Sequence, residues 1–118
     1  MRTNLNPQEL VVELLKRSTC SVQCAAVIAD KQGVFSWGWN SSGPTGLGQH
    51  AEAHAISRAN PKRLAGATIY VAARRRKSGS ALNSRPCDAC QNIIKGCSQV
   101  VYRTPFGGTL SWIWEPLL

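Results

Sequence analysis

The chain has 118 residues, 43% hydrophobic and 17% charged, with 14 basic against six acidic side chains and a net charge of +8. That length builds one domain with a core and leaves no room for a second, so residues 1–118 read as a single domain. Met1 to Gln8 is polar without an apolar leader, and the longest apolar stretch, Ala25 to Ala29, falls far short of the roughly 20 residues that span a bilayer. The expectation is no membrane partner and a cytoplasmic location, in a cell or in an infected host. An odd count of five cysteines, with no leader, argues against a disulfide framework.

Asn6-Pro7-Gln8-Glu9 reads as a helix start, with Asn6 as cap, Pro7 in the first turn and Glu9 reaching back. Leu10, Val11, Leu14 and Leu15 recur at helical spacing up to about Ser18. Ser21 to Ala29 reads as a strand, Asp30 to Gly33 as a hairpin turn and Val34 to Trp39 as the returning strand. Ser41 to Gln49 is a glycine- and proline-bearing loop, and a second helix runs from about His50 to Ala59. Thr68 to Ala73 is a buried strand. Arg74 to Arg85, polar and basic, reads as a mobile loop. A third helix spans about Cys87 to Lys95, stopped by Gly96. Gln99 to Arg103 is a fourth strand, Pro105 to Gly108 a turn, and Thr109 to Trp114 a fifth strand. This order gives a three-layer α/β/α domain on a five-stranded mixed sheet. About five residues join the last two strands, too few for a crossover helix, so they pair as an antiparallel C-terminal hairpin.

The chemistry concentrates in His50-Ala51-Glu52 and Pro86-Cys87-Asp88-Ala89-Cys90. One histidine and two cysteines are three soft ligands, a set that suits a tetrahedral zinc with its fourth position open to water. The helical i,i+3 spacing of Cys87 and Cys90 brings both sulfurs to one side. One strand and one loop separate His50 from Cys87, so the starts of the second and third helices can meet. His50 and His54 also make H-x-x-x-H, but Glu52 sits two residues after the first histidine, which is not the metalloprotease order. His54 is expected to pack or support. Cys97 is expected in the core, and so are Cys20 and Cys24, beside Val22 and Ala25 to Ile28.

H-x-E followed by P-C-x-x-C is the signature of zinc-dependent nucleobase deaminases, and the chain resembles the cytidine and deoxycytidylate deaminase superfamily. The stretch from Thr68-Ile69-Tyr70-Val71 to Val101-Tyr102, with N-S-x-P-C leading into the zinc helix, is similar to small deaminase-like proteins of phages and large viruses, and together the resemblance covers about Ser21 to Arg103. The resemblance implies a cytidine deaminase-like fold, a Zn2+ cofactor held by His50, Cys87 and Cys90, and Glu52 as the catalytic proton carrier. Gly38-Trp39-Asn40 resembles a string that closes the second strand across these families, which implies that Asn40 binds sugar or base. By the same likeness the Ala51 amide holds the pyrimidine carbonyl, and the Ser84 carbonyl or its neighbours accept the leaving amine. Arg85 stands where relatives acting on cytosine often carry Ser or Thr, and it either meets a substrate phosphate or faces solvent. A C-terminal hairpin resembles the free-cytidine branch. The H-A-E order resembles the tRNA, polynucleotide and deoxycytidylate branches.

Between Ala53 and Cys87 no acid occurs, yet eight basic side chains do, a one-signed segment that attracts phosphate or simply aids solubility. Trp37, Trp39, Trp112 and Trp114 either pack, in the core or at a subunit interface, or stack bases. The expected function is zinc-dependent hydrolytic deamination of cytosine in a nucleoside or nucleotide, by a homo-oligomer. The alternatives are a deaminase of single-stranded DNA or RNA and a non-catalytic zinc-containing nucleic-acid-binding module.

Overall fold

The computed structural model describes residues 6–42, 48–106 and 108–117. Its elements are α1 (Pro7–Leu14), β1 (Val22–Asp30), β2 (Gly33–Trp39), α2 (Ala51–Arg58), β3 (Thr68–Arg75), β4 (Ala81–Leu82), α3 (Asp88–Ile94), β5 (Gln99–Phe106) and β6 (Thr109–Pro116). Part of the expected loop from Ser41 to Gln49, residues 43–47, lies outside the described residues, as do residues 1–5, 107 and 118.

The start of α1 follows from its first four residues. Glu9 N–H donates to Asn6 Oδ1 (2.8 Å) and Asn6 N–H donates to Glu9 Oε1 (3.1 Å), a reciprocal capping box with Pro7 behind it. The helix is shorter than its periodicity implies, because Leu15–Arg17 tightens into a 3-10 turn.

The sheet runs β2-β1-β3-β5-β6. Among the described residues only β3 and β5 pair in parallel, and α3 lies on the crossover between them. Val11, Leu14 and Leu15 cover one face against Ala25, Val27 and Ala72. Ala51, Ala55 and Ile94 cover the other against Ala26, Ile28, Ile69 and Val71. Burial on both faces is why Ala25 to Ala29 is continuously apolar instead of alternating. The three layers and the antiparallel β5–β6 hairpin are as expected.

Two features differ from the sequence reading. The segment Arg74 to Arg85 is not a free loop: β3 continues to Arg75 and turns back into β4, pairing Ala73 with Leu82 and Arg74 with Ala81. Arg75 N–H donates to Ser80 O (2.9 Å), and Gly79 takes a φ of 76° that a side chain would resist. The β5–β6 turn is also tighter than Pro105 to Gly108. Pro105 fits inside β5 because β3 pairs with β5 only as far as Tyr102, so no ladder bond on that side needs its missing N–H.

Candidate active site

The metal-binding pattern sits where two helices begin. His50 is the N-cap of α2 and Cys87 the N-cap of α3, and neither side chain is used for capping. Three contacts from β2 fix α2. Gly38 passes directly under it, Ser36 Oγ donates to the Ala55 carbonyl (2.6 Å), and Trp39 N–H donates to His54 Nδ1 (3.2 Å). His54 thus faces Trp39, with the rings edge-on at 5.0 Å, and takes no part in the ligand cluster. On α3, Gln91 Nε2 donates to the Pro86 carbonyl (3.0 Å), which ties the Pro-Cys corner to the helix.

The ligand atoms of His50, Cys87 and Cys90 all lie within 4.8 Å of one another. His50 Nδ1 is 3.0 Å from Cys90 Sγ and 4.0 Å from Cys87 Sγ. Zinc bonds of about 2.3 Å to sulfur and about 2.0 Å to nitrogen, at tetrahedral angles, set donors roughly 3.5–3.8 Å apart, a span the two observed distances straddle. The donor set fits zinc, and among the described residues no fourth donor joins the group. Glu52 is buried beside them. Burial raises its carboxyl above the usual range, opposed by a backbone N–H, by His50 and by Cys90. Burial, then Glu52 and Cys87, drive the Cys90 thiol far above its ordinary range. A buried sulfur next to a buried carboxyl favours a cation between them.

These groups open into a cleft of about 230 Å3. Its far wall is made where β3 and β5 part and β4 enters. Ser84 spans that gap: its N–H donates to the Arg103 carbonyl (2.9 Å), its hydroxyl donates to the Val71 carbonyl (2.7 Å) and accepts from Arg103 N–H (2.8 Å). Asn40 lines the opposite wall. Its Oδ1 accepts from Ser18 Oγ (2.6 Å) and Cys24 N–H (2.9 Å), and its Nδ2 donates to the Val22 carbonyl (2.8 Å). Arg85 stands at the rim, exposed to solvent and ion-paired. Its guanidinium pairs with Glu115 through Nε (3.1 Å) and Nη2 (3.2 Å), and Tyr102 Oη donates to the same carboxylate (2.6 Å).

Several residues beyond the motifs shape this site. Ser18 and Gln23 are both buried, and they support Asn40 through the chain Arg74–Gln23–Ser18–Asn40. Cys24 corrects the expectation of a fully buried core thiol: it is half-buried, packs on the core and lines the cleft. Its thiol is pushed up to about 11 by burial first, then by Glu52 and Cys20. Cys20 is half-buried too, whereas Cys97 lies in the core as expected. The basic segment is dispersed: Arg63 pairs with Asp30, Arg58 covers the rings of Trp37 and Trp39, and Arg74 donates to Gln23.

The sequence model of the cytidine and deoxycytidylate deaminase zinc-binding region matches residues 3–104, so the chain belongs to that family. No curated protein matches it at the level of sequence. Its fold is similar to the cytidine deaminase of Burkholderia pseudomallei, with a TM-score of 0.64 at 18% identity over 91% of this chain and 88% of that one. The cytidine deaminase of Mycobacterium tuberculosis aligns with a TM-score of 0.54 at 19% identity, covering 80% of this chain and 79% of that one. Among the described residues, no helix is long and apolar enough to cross a membrane.

Proposed function

We propose that the protein is a zinc-dependent hydrolase that converts cytosine to uracil, with release of ammonia, in a cytidine- or deoxycytidine-type nucleoside or nucleotide. The observation that carries this reading is a His-Cys-Cys donor cluster next to a buried carboxyl, with His50, Cys87 and Glu52 lining one small cleft and Cys90 buried behind them. Bound zinc would supply a water acidified toward a pKa of roughly 7, hence hydroxide at neutral pH. Glu52 takes that water's proton, delivers it to the ring nitrogen beside the attacked carbon, and then assists departure of ammonia. Its burial keeps competing water away and holds its proton affinity high enough for both transfers.

The remaining residues position the base. Ala51 is the first residue of α2, where an N–H has no intrahelical acceptor, and it donates to the pyrimidine carbonyl. The N–H and hydroxyl of Ser84 are committed to strand contacts, so its carbonyl is the group it offers to the leaving amine. Asn40 has one amide N–H beyond its contact with Val22, and this meets the sugar hydroxyl or the base. Arg85 offers a substrate phosphate the Nη1 donors that its pairing with Glu115 leaves free. A cleft of about 230 Å3 falls below the roughly 300–1,000 Å3 of drug-sized sites and suits a single ring. Self-association accompanies this reading: β6 is an edge strand, and Phe106, Leu110 and Trp114 of the terminal hairpin are exposed.

Incubating the zinc-loaded protein with deoxycytidine, its monophosphate and a cytosine-bearing oligonucleotide, and assaying uracil product, tests the proposal. Turnover of a monomeric substrate is expected; product from the oligonucleotide alone would move the function to polynucleotides. Glu52→Ala should cost at least about a hundredfold in turnover with zinc content unchanged. Loss of metal together with activity would contradict the role given to Glu52.

A further inference from the structure

The row of side chains that floors the catalytic cleft continues past it. Val71 and Ala73 of β3 line the cleft, and so do Val22 and Cys24 of β1. The two strands pair with Cys24 opposite Ala73 and Val22 opposite Arg75, so alternation puts Arg75 next in that row on the same sheet face. It stands two residues, about 7 Å, beyond Ala73, a gap that one pentose ring bridges. There a second cavity of about 410 Å3 opens, lined by Ser21, Val22, Arg75, Lys77 and Ser78. Val22 lines both spaces, so they adjoin.

Charge sets this cavity apart. Its lining holds two cations and two hydroxyls and no carboxylate. Arg75 and Lys77 are exposed, and among the described residues neither enters an ion pair. Arg85, on the lining of the cleft itself, already has its charge offset by Glu115. The turn that presents the two free cations is tied down. Arg76, between them, donates from its backbone N–H to the Ser21 carbonyl (2.9 Å) and from Nη1 to the Thr19 carbonyl (3.2 Å). Gly79 N–H donates to the Arg75 carbonyl (2.8 Å), and Ser80 N–H donates to Ser78 Oγ (3.2 Å). A guanidinium fork and an ammonium held at one mouth match the oxygens of a phosphate.

We propose that this cavity is a phosphate subsite, in which Arg75 and Lys77 hold a phosphate of the molecule whose cytosine occupies the cleft. That phosphate is either a nucleotide's own or the neighbouring phosphodiester of a single strand. The subsite presupposes the cytosine reading given above and narrows it to phosphorylated substrates over the free nucleoside.

The products of the reaction bind without reacting, which separates recognition from turnover. The zinc-loaded protein is titrated by calorimetry, at constant ionic strength, with deoxyuridine, its monophosphate, a short oligothymidylate carrying one deoxyuridine, and ribose 5-phosphate. A phosphorylated probe is expected to bind at least about tenfold more tightly than deoxyuridine, the scale of one charge-assisted hydrogen bond. Arg75→Gln and Lys77→Gln should each bring that ratio toward one, whereas Lys62→Gln, which removes a charge at the other end of the basic segment, should leave it. A margin for the monophosphate assigns the subsite to a nucleotide's own phosphate; a margin for the oligonucleotide alone assigns it to the backbone of a strand. Equal affinity for deoxyuridine and the phosphorylated probes would overturn the subsite and leave the cytosine reading standing. A margin that all three variants reduce alike, or none reduces, would overturn it too. If deoxyuridine does not bind while ribose 5-phosphate does, and Arg75→Gln weakens it, the cytosine reading fails and the phosphate site stands. Binding of none of the probes would overturn both.

Discussion

Gly38→Ala should damage the site from behind. A Cβ at this position would stand 2.6 Å from the Ala55 nitrogen, 2.8 Å from His54 Cβ and 3.0 Å from the Ala51 carbonyl oxygen. Ordinary contact begins at 3.4 Å, so strand and helix must separate by about 0.8 Å. β2 is held in the ladder by its pairing with β1, Ala26 opposite Gly38, so α2 is the element that gives. That helix carries His50 at its start and Glu52 in its first turn. Overpacking of this kind costs about 1–3 kcal/mol, or about 4–12 °C in Tm for a domain of this size. A shift approaching 1 Å at reacting groups costs on the order of a hundredfold in rate. Melting by circular dichroism, zinc per chain and deoxycytidine turnover measure the three consequences. Gly33→Ala is the control: its φ of 114° is strained for a side chain, but nothing lies within 4 Å. It should lose stability by about 1–3 kcal/mol and keep its turnover. If Gly38→Ala melts within about 2 °C of the parent and retains full turnover, the close packing of β2 on α2 does not position the site.

Ser84→Ala should destabilise by about 1–3 kcal/mol in urea unfolding, because it leaves the buried N–H of Arg103 without its acceptor; an unchanged midpoint would show that water replaces the hydroxyl. Asp30 is held at about 2, below its ordinary 3.8, first by its hydrogen bonds to Arg63. A depressed carboxyl stabilises the fold above its unfolded value, and the contribution fades as pH falls from 3.8 through about 2. Asp30→Asn should therefore lower Tm at pH 7, and the gap from the parent should close toward pH 2; a gap independent of pH would remove the ion pair as its cause.

Local rules made much of this fold readable. Asn6 to Glu9 contains its whole capping box within four residues, and Ala25 to Ala29 states by its unbroken apolarity that both sheet faces are covered. The ligand set was readable for a different reason: His50 with Glu52, and Cys87 with Cys90, each keep their spacing within one helical turn. What escaped depends on partners distant in sequence. β4 is two residues long and exists only because β3 and β5 part beside it. Cys24 sits in an apolar run, and only the arrival of α2 turns it toward Glu52. Ser18 and Gln23 look like ordinary loop and strand polar residues until Asn40 and Arg74 meet them.

Arg85 shows how a topological detail reaches the rim of the cleft. With only two residues between the last two strands, β6 must run antiparallel to β5, and its far end returns to the start of β5. The register then sets Glu115 opposite Val100 and Ile113 opposite Tyr102. Tyr102 Oη reaches the Glu115 carboxylate, and Arg85, 30 residues earlier, completes the trio. A parallel last strand would run the other way and carry position 115 away from the start of β5. The short connection therefore decides which acid pairs with Arg85 at the rim of the cleft.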